Sequence, residues 1–529
     1  MTNKKISIYD TTLRDGAQGE GISFTVEDKL KITKKLDEFG IEYIEAGNPG
    51  SNPKDLEFFE RLKKLKLKNA KIVAFGSTRR ANILVSEDAN VISLMKANTK
   101  AVAIFGKSWD FHVTDIIKTT LEENLKMIKD TITYFKENGK EVIFDAEHFF
   151  DGYKSNSEYA LKALEAASEA KADYIVLCDT NGNSMPYEIF DITSVVVKRI
   201  NTAIGIHCHN DSGMAVANSI MAVKAGAVQV QGTLNGYGER TGNANICTII
   251  PTLQLKMGYN CVPAENIKEL TSLSRNASEL SNLAHDKAYP YVGLNAFAHK
   301  GGMHIDAVNK NPISFEHISP ETVGNERRVL MSEVSGKSTL LSYIQKVVPW
   351  ITKASPEAQE MVDRLKKLEH EGYQFEGAES SFELMVRRAY GKSKKFFNLN
   401  DFKVMCEDPN GDYTSAYAII KIEVDGIEEV TAAQGDGPIN AMDIALRKAL
   451  SRFYPVINSI RLVDYKVRVL NAEDATAAKV RVHIESTDGT NSWGTVGVST
   501  NIVKASWDAL TDSLIYFLHQ TYDKDLESK

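Results

Sequence analysis

Along residues 1 to about 258, short apolar or β-branched runs alternate with longer stretches in which apolar residues recur at helical spacing. The runs predict eight strands: Lys5 to Tyr9, Tyr43 to Ala46, Lys71 to Phe75, Ala101 to Phe105, Glu141 to Phe144, Tyr174 to Cys178, Gly205 to Cys208 and Val228 to Gly232. The longer stretches predict helices over Val26 to Phe39, Thr114 to Asn138, Asn156 to Ala170, Pro186 to Thr202, Met214 to Gly226 and Ala244 to Met257. Strand and helix in alternation read as βα units on a parallel sheet. Eight such strands in roughly 250 residues fit a single (β/α)8 barrel, an α/β fold, better than an open doubly wound sheet.

The texture then changes twice. Residues 260 to about 375 are helix-rich, with Leu270 to Leu283, Ser338 to Ile344 and Ser355 to His370 as candidates. Within them the polar cluster Ala298-His299-Lys300-Gly301-Gly302-Met303-His304-Ile305-Asp306 reads either as a solvated loop or as a lid that approaches a ligand closely. Glu333 to Ser338 imitates a phosphate-binding loop, but that motif requires glycine where Met331 stands. From about residue 376 a strand-and-helix unit occurs twice. Tyr417 to Val424, Glu428 to Gln434 and a helix from Ile439 to Phe453 make the first copy. Tyr465 to Leu470, Lys479 to Ser486, Trp493 to Ser499 and a helix near Val503 to Thr521 make the second. The expected organisation is a catalytic barrel over 1–262, helical subdomains over 263–375 and an α+β domain with an internal pseudo-repeat over 376–529.

Polar residues at the ends of the predicted strands supply the chemistry. In Gly-Ile-His-Cys-His-Asn-Asp the two-residue period of a strand points His207 and His209 to the same side, which makes a candidate metal pair. The first strand runs into Asp-Thr-Thr-Leu-Arg-Asp-Gly-Ala-Gln, where Asp15 offers a hard oxygen and Arg14 a cation for an anionic substrate. A His-x-His in an arbitrary strand is more often structural than metal-binding, and the barrel around it reverses those odds. Barrel sites lie at the C-terminal ends of the strands, and Arg14, Asp15, Glu45, Glu147, Asp179, Thr180, His207, His209 and Asn243 all fall at that end.

Composition sets the outer bounds. The chain has 529 residues, a formal net charge of −7, 43% hydrophobic and 25% charged residues, as expected of a globular protein of two or three domains. It carries no broad basic field for nucleic acid or an anionic membrane. No apolar run is long enough to span a bilayer and the first residues lack a signal-peptide core, so a cytoplasmic protein is expected. Five cysteines without a Cys-x-x-Cys pair imply neither a disulfide framework nor a zinc-thiolate site.

Asp10 to Gly16, His207 to Asp211 and Asn235 to Ala244 together resemble the isopropylmalate, homocitrate and citramalate synthases, condensing enzymes of the DRE-TIM metallolyase group. Ala298 to Asp306 is similar to their acetyl-CoA-handling subdomain, and residues 376–529 to their C-terminal allosteric domain. Phe105 to Val113, Phe144 to Tyr153 and Gly76 to Arg80 resemble most the citramalate synthases of the threonine-independent isoleucine route. The resemblance implies condensation of acetyl-CoA with pyruvate to (R)-citramalate and CoA; the alternative is an isopropylmalate or homocitrate synthase using another 2-oxo acid. It also implies that Asp15, His207, His209 and Asn243 hold a divalent ion, Zn, Mn or Mg. Arg14 would steady the keto-acid oxygen and the enolate, with Glu147 near the metal and this arginine. Gln18 and Thr180 would contact substrate, and His304 and Asp306 would lie near acetyl-CoA. The family uses a subdomain tyrosine beside that histidine, and this chain departs from the pattern: Ser314, Phe315 and His317 fill the nearby stretch, with Tyr289 and Tyr291 upstream. A homodimer with isoleucine as effector is implied for the C-terminal repeat, or leucine if the barrel takes 2-oxoisovalerate.

Overall fold

The computed structural model describes residues 4–330, 337–352, 355–407, 415–470, 472–489 and 491–523. Eight parallel strands close into a barrel in sequence order: β1 (Ser7–Asp10), β2 (Tyr43–Gly47), β3 (Lys71–Ser77), β4 (Ala101–Lys107), β5 (Glu141–Glu147), β6 (Tyr174–Asp179), β7 (Ala203–Cys208) and β8 (Gln229–Gly232). Closure is made by β1 against β8, with Tyr9 opposite Gln231 and Asp10 opposite Gly232. All eight predicted strands are present, several extended at their C-terminal ends, so that Glu147 ends β5 rather than following it.

Strand alternation sorts the residues into two cores. Tyr9, Tyr43, Val73, Ala101, Ala103, Ile143, Val176 and Cys178 form one buried cluster, which fills the barrel. Their strand neighbours Ile8, Ile44, Val102, Ile104, Val142, Phe144, Ile175, Leu177, Ile206 and Val230 belong to the larger cluster shared with the helices. Burial on both faces is why the strands read as continuous apolar runs.

The barrel helices are α1 (Val26–Phe39), α2 (Pro53–Leu62), α3 (Ala89–Lys96), α4 (Leu121–Glu137), α5 (Phe149–Ser155), α6 (Ser157–Glu169), α7 (Pro186–Arg199) and α8 (Ala215–Ala225). A reciprocal capping box between Thr25 and Asp28 starts α1, and Gly40 in the left-handed region ends it. The helices α2, α3 and α5, of 10, 8 and 7 residues, escape the sequence pattern because each is too short to show a sustained period. The helix expected over Thr114 to Asn138 begins only at Leu121. His112–Ile116 form a separate wide turn, Lys118 takes a positive φ of 55°, and Thr120 then caps α4 through Glu123 N–H. The helix expected from Ala244 similarly resolves into α9 (Ile246–Pro251), followed by a wide turn over Thr252–Lys256.

The chain divides into two compact units, Met1–Phe297 with Ile318–Arg327, and Ala298–His317 with Arg328–Lys529. The barrel unit also contains α10 (Leu270–Leu280). In the second unit the polar cluster at Ala298 to Asp306 is not a loop. Ala298–His299 (β9) pair in parallel with Arg328–Val329 (β10), and α11 (Gly302–Lys310) carries both His304 and Asp306. The helices α12 (Lys337–Val347), α13 (Pro356–His370) and α14 (Glu379–Ala389) follow; the imitation phosphate loop lies largely outside the described residues.

The C-terminal repeat is fuller than the sequence suggested. Each copy is a three-stranded antiparallel sheet followed by a helix: β11 (Asn398–Glu407), β12 (Ser415–Val424) and β13 (Ile427–Gly435) with α15 (Pro438–Ser451), then β14 (Arg461–Val469), β15 (Val480–Thr487) and β16 (Ser492–Ser499) with α16 (Ile502–Tyr522). The strand β11 was missed because its polar and half-exposed residues, among them Asn398, Asn400, Asp401, Lys403 and Glu407, give no apolar run. One core, including Ile420, Ile422, Met442, Leu446, Ile484, Trp507, Leu510 and Leu514, is shared by both copies. Among the described residues no helix is long and apolar enough to cross a membrane, and all five cysteines are free thiols.

Candidate active site

A parallel barrel delivers the C-terminal ends of all its strands to one mouth, and a cavity of about 220 Å³ opens there. Of the predicted site residues Arg14, Asp15, Gln18, Glu147, Thr180, His207 and His209 line it, together with Phe75, Phe105, Asp145 and Arg240. Asn243 joins them through the backbone, because an isolated antiparallel bridge sets it beside His209. A Cβ on Gly238, whose φ is +148°, would collide with the Asn243 side-chain amide, so this turn requires glycine. His304 and Asp306 belong to the second unit. There the ring of His304 stacks on Phe315 at 4.1 Å, and Asp306 pairs with Lys310 at 2.6 Å. A phenyl ring thus packs beside this histidine.

Arg14 is the fixed cation of the cavity. Its Nε donates to Glu45 Oε1 at 2.5 Å, its Nη1 lies 3.1 Å from Asp15 Oδ2, and its guanidinium sits 3.7 Å from the Phe75 ring centroid. Glu45 is fully buried and also accepts from Tyr9 Oη at 2.5 Å and from Thr11 Oγ1 at 2.6 Å. Burial works against the charge on Arg14, but Glu45 and Asp15 more than offset it and hold the guanidinium protonated.

Asp15, His207 and His209 offer ligand atoms that all lie within 4.8 Å of one another. Burial alone would raise the Asp15 carboxyl; Arg14 and the two histidines outweigh it and hold the group at about 2. Burial pushes both imidazoles below the ordinary histidine value, His209 to about 4 with the help of His207. At neutral pH the site therefore presents a carboxylate and two neutral imidazoles. His207 Nδ1 bonds Gln231 Oε1 at 3.0 Å, and its Nε2 faces Asp15 Oδ2 at 3.8 Å. His209 Nδ1 and Asn243 Oδ1 are buried with no hydrogen-bond partner among the described residues, while Asn243 Nδ2 donates to Asp15 Oδ1 at 2.9 Å. Buried polar atoms left unpaired beside an ionised carboxylate are costly unless something binds them, and this donor set fits a divalent ion.

The remaining residues shape the rim. The His148 N–H donates to Thr180 Oγ1 at 2.9 Å, so the Thr180 hydroxyl keeps its own proton for another acceptor. Glu147 pairs with Lys107. Arg240, at a positive φ of 57°, bonds both Asp211 oxygens and the Thr180 carbonyl, tying the loop after β8 to those after β6 and β7. Asp145 is raised to about 8, first by burial and then by the charge of Glu45. Sequence reasoning placed Glu45 at the mouth without a role and passed over Asp145 and Gln231. The signal available was a polar residue at every second position of otherwise apolar strands, as in Val228-Gln-Val-Gln231.

A closed parallel barrel with this carboxylate and His-x-His cluster at its C-terminal mouth defines the HMGL-like class, and the HMGL-like family matches residues 5–276. The homocitrate synthase post-HMGL domain-like family matches residues 291–373, and the LeuA allosteric (dimerisation) domain matches residues 376–518. An (R)-citramalate synthase of Aquifex aeolicus is 56% identical over 97% of this chain and 98% of that protein. Those of Geobacter sulfurreducens and Synechocystis are 53% and 49% identical, each over 98% of this chain and 98% and 97% of theirs. The chain belongs to the (R)-citramalate synthase family of the DRE-TIM group and is an enzyme of the acyltransferase type.

Two predictions follow from the geometry. Replacing His207 or His209 by alanine removes a candidate ligand from an otherwise intact barrel, so bound metal and turnover should both be lost while the circular dichroism spectrum is retained; full activity in either variant contradicts a metal site here. Glu45→Gln leaves the Arg14 cation without its main partner. It should cost about 3–5 kcal/mol in denaturant unfolding and lower turnover at least tenfold, and wild-type stability and turnover would show that Glu45 does not position Arg14.

Proposed function

We propose that this chain condenses acetyl-CoA with pyruvate at the barrel mouth and hydrolyses the thioester, releasing (R)-citramalate and CoA. The observation that carries the reading is the meeting of Arg14 with the Asp15, His207 and His209 cluster in one cavity, in a chain of this family. Asp15, His207, His209 and Asn243 would hold a divalent ion, Zn, Mn or Mg. Such an ion, when bound, supplies Lewis-acid polarisation of the 2-oxo acid carbonyl.

The other residues bind and orient. Arg14 Nη2 bonds none of the described residues, so one edge of the guanidinium is open to a carboxylate or to the oxygen of the acetyl-CoA enolate. A preorganised donor of this kind contributes roughly 3 kcal/mol to a developing oxyanion. The Thr180 hydroxyl, one of its lone pairs engaged by the His148 N–H, donates to the substrate carboxylate, and Gln18 completes that contact. Phe75 and Phe105, stacked at 5.4 Å, give the cavity an apolar wall suited to a small methyl group. Glu147, at the cavity wall, and His304 are assigned the two proton movements, removal of a methyl proton from the acetyl group and return of a proton to the new hydroxyl, and Asp306 is assigned a contact with acetyl-CoA.

The assignment of domains follows the same reading: residues 1–262 catalytic, 263–375 concerned with acetyl-CoA, and 376–529 allosteric and dimer-forming. The protein would act in the cytoplasm as a homodimer on the isoleucine route, with isoleucine as the effector of the C-terminal repeat.

CoA release, measured in parallel with pyruvate, 2-oxobutyrate, 2-oxoisovalerate and 2-oxoglutarate, should be fastest with pyruvate; preference for either of the last two would make the chain an isopropylmalate or homocitrate synthase. Isoleucine should bind the full-length His207→Ala variant as tightly as it binds the unaltered chain, because its site lies outside the barrel. Loss of calorimetric binding in that variant would place isoleucine at the barrel mouth.

A further inference from the structure

On β8, Gln231 is fully buried and stands opposite His207 of β7 on one side and Tyr9 of β1 on the other. Its two amide atoms are used in different directions: Oε1 meets His207 Nδ1 at 3.0 Å, and Nε2 donates to Asp145 Oδ1 at 3.1 Å. A chain of hydrogen bonds therefore runs from β5 through β8 to β7 across the inside of the barrel.

The chemistry of an amide makes this chain directional. An amide oxygen only accepts and an amide nitrogen only donates. In this arrangement Nε2 donates to Asp145 Oδ1, Oε1 is the atom turned to the histidine, and His207 Nδ1 carries the ring proton. The lone pair is left on Nε2, the atom that faces Asp15. Were the amide reversed, its N–H would meet Nδ1, the ring proton would move to Nε2, and that nitrogen would be lost as a ligand. The same strand supplies a contrast. Gln229, two residues earlier and equally buried, has neither amide atom hydrogen-bonded among the described residues, so β8 tolerates a buried glutamine that is part of no such chain.

We propose that Gln231, oriented by Asp145, is the positioning residue that fixes the tautomer and ring angle of His207 and so completes the divalent-cation site. The inference rests on the reading of Asp15, His207 and His209 as metal ligands. Outer partners of this kind are worth roughly 10- to 100-fold in metal affinity.

The test uses Mn²⁺ alone as the probe, titrated calorimetrically into the metal-free full-length protein. Gln231→Leu should weaken Mn²⁺ binding roughly 10- to 100-fold, whereas Gln229→Leu, which removes a buried amide outside the chain, should leave it unchanged. In metal-free samples with ¹⁵N-labelled histidine, the resonances absent from His207→Ala should report a proton on Nδ1 in the unaltered chain and a mixture of tautomers in Gln231→Leu. Should Gln231→Leu not fold, Asp145→Leu frees the amide to reverse and is expected to give the same mixture and the same loss of affinity. Unaltered Mn²⁺ affinity in the Gln231 or Asp145 variant, with binding abolished in His207→Ala, would overturn the positioning role. Unaltered binding in His207→Ala would instead overturn the ligand assignment, and the inference with it.

Discussion

A guanidinium buried inside a barrel must be held by carboxylates, and the pairing of Arg14 with Glu45 is the interaction on which the site depends. Desolvating a cation costs several kcal/mol; here the cost is offset by a carboxylate that also accepts from Tyr9 and Thr11, and by Asp15 on the other side. The pair fixes more than a charge. Asp15, next in sequence to Arg14, is shared between that cation and the two histidines, so holding Arg14 against β2 also places the carboxylate that faces His207. The cation and the Asp15, His207 and His209 cluster are therefore set by one network.

The barrel and the C-terminal repeat were legible because both follow periods. Inside and outside residues of each barrel strand are apolar, and runs such as Ile-Val-Leu-Cys at 175–178 need no partner to be read as buried strand. What stayed hidden was set by single dihedrals or by contacts distant in sequence. Lys118 interrupts a helix whose periodicity runs straight through it. The helix α11 was masked by Gly301 and Gly302, which in sequence suggest a loop, although Gly301 serves as the residue before the first turn. Among the site residues, Arg14, Asp15, His207 and His209 declare themselves because ligand-type residues stand together at strand ends. Glu45, Asp145 and Gln231 do not: each is a polar residue set within an otherwise apolar strand, and only barrel closure shows that β2, β5 and β8 aim them at the same few atoms.

The second unit obeys a different economy. The first sheet of the repeat uses one face for the shared core and leaves the other outward, whereas the second also packs Val496 of β16 against Phe382, Met385 and Val386 of α14. The exposed residues of β13 and β14, among them Val430, Val463, Val467 and Val469, are apolar enough to stand out on a chain with 25% charged residues. The core joining α15 and α16 to both sheets binds the two copies into one body, over the residues that the LeuA allosteric (dimerisation) domain matches.

If the cation Arg14 and the cluster of Asp15, His207 and His209 form a single site for the 2-oxo acid, the full-length protein should bind pyruvate strongly in saturating Mn²⁺ and at least tenfold more weakly without the ion, as measured calorimetrically. Equal affinity in the two conditions would show that the cation and the cluster do not act as one site.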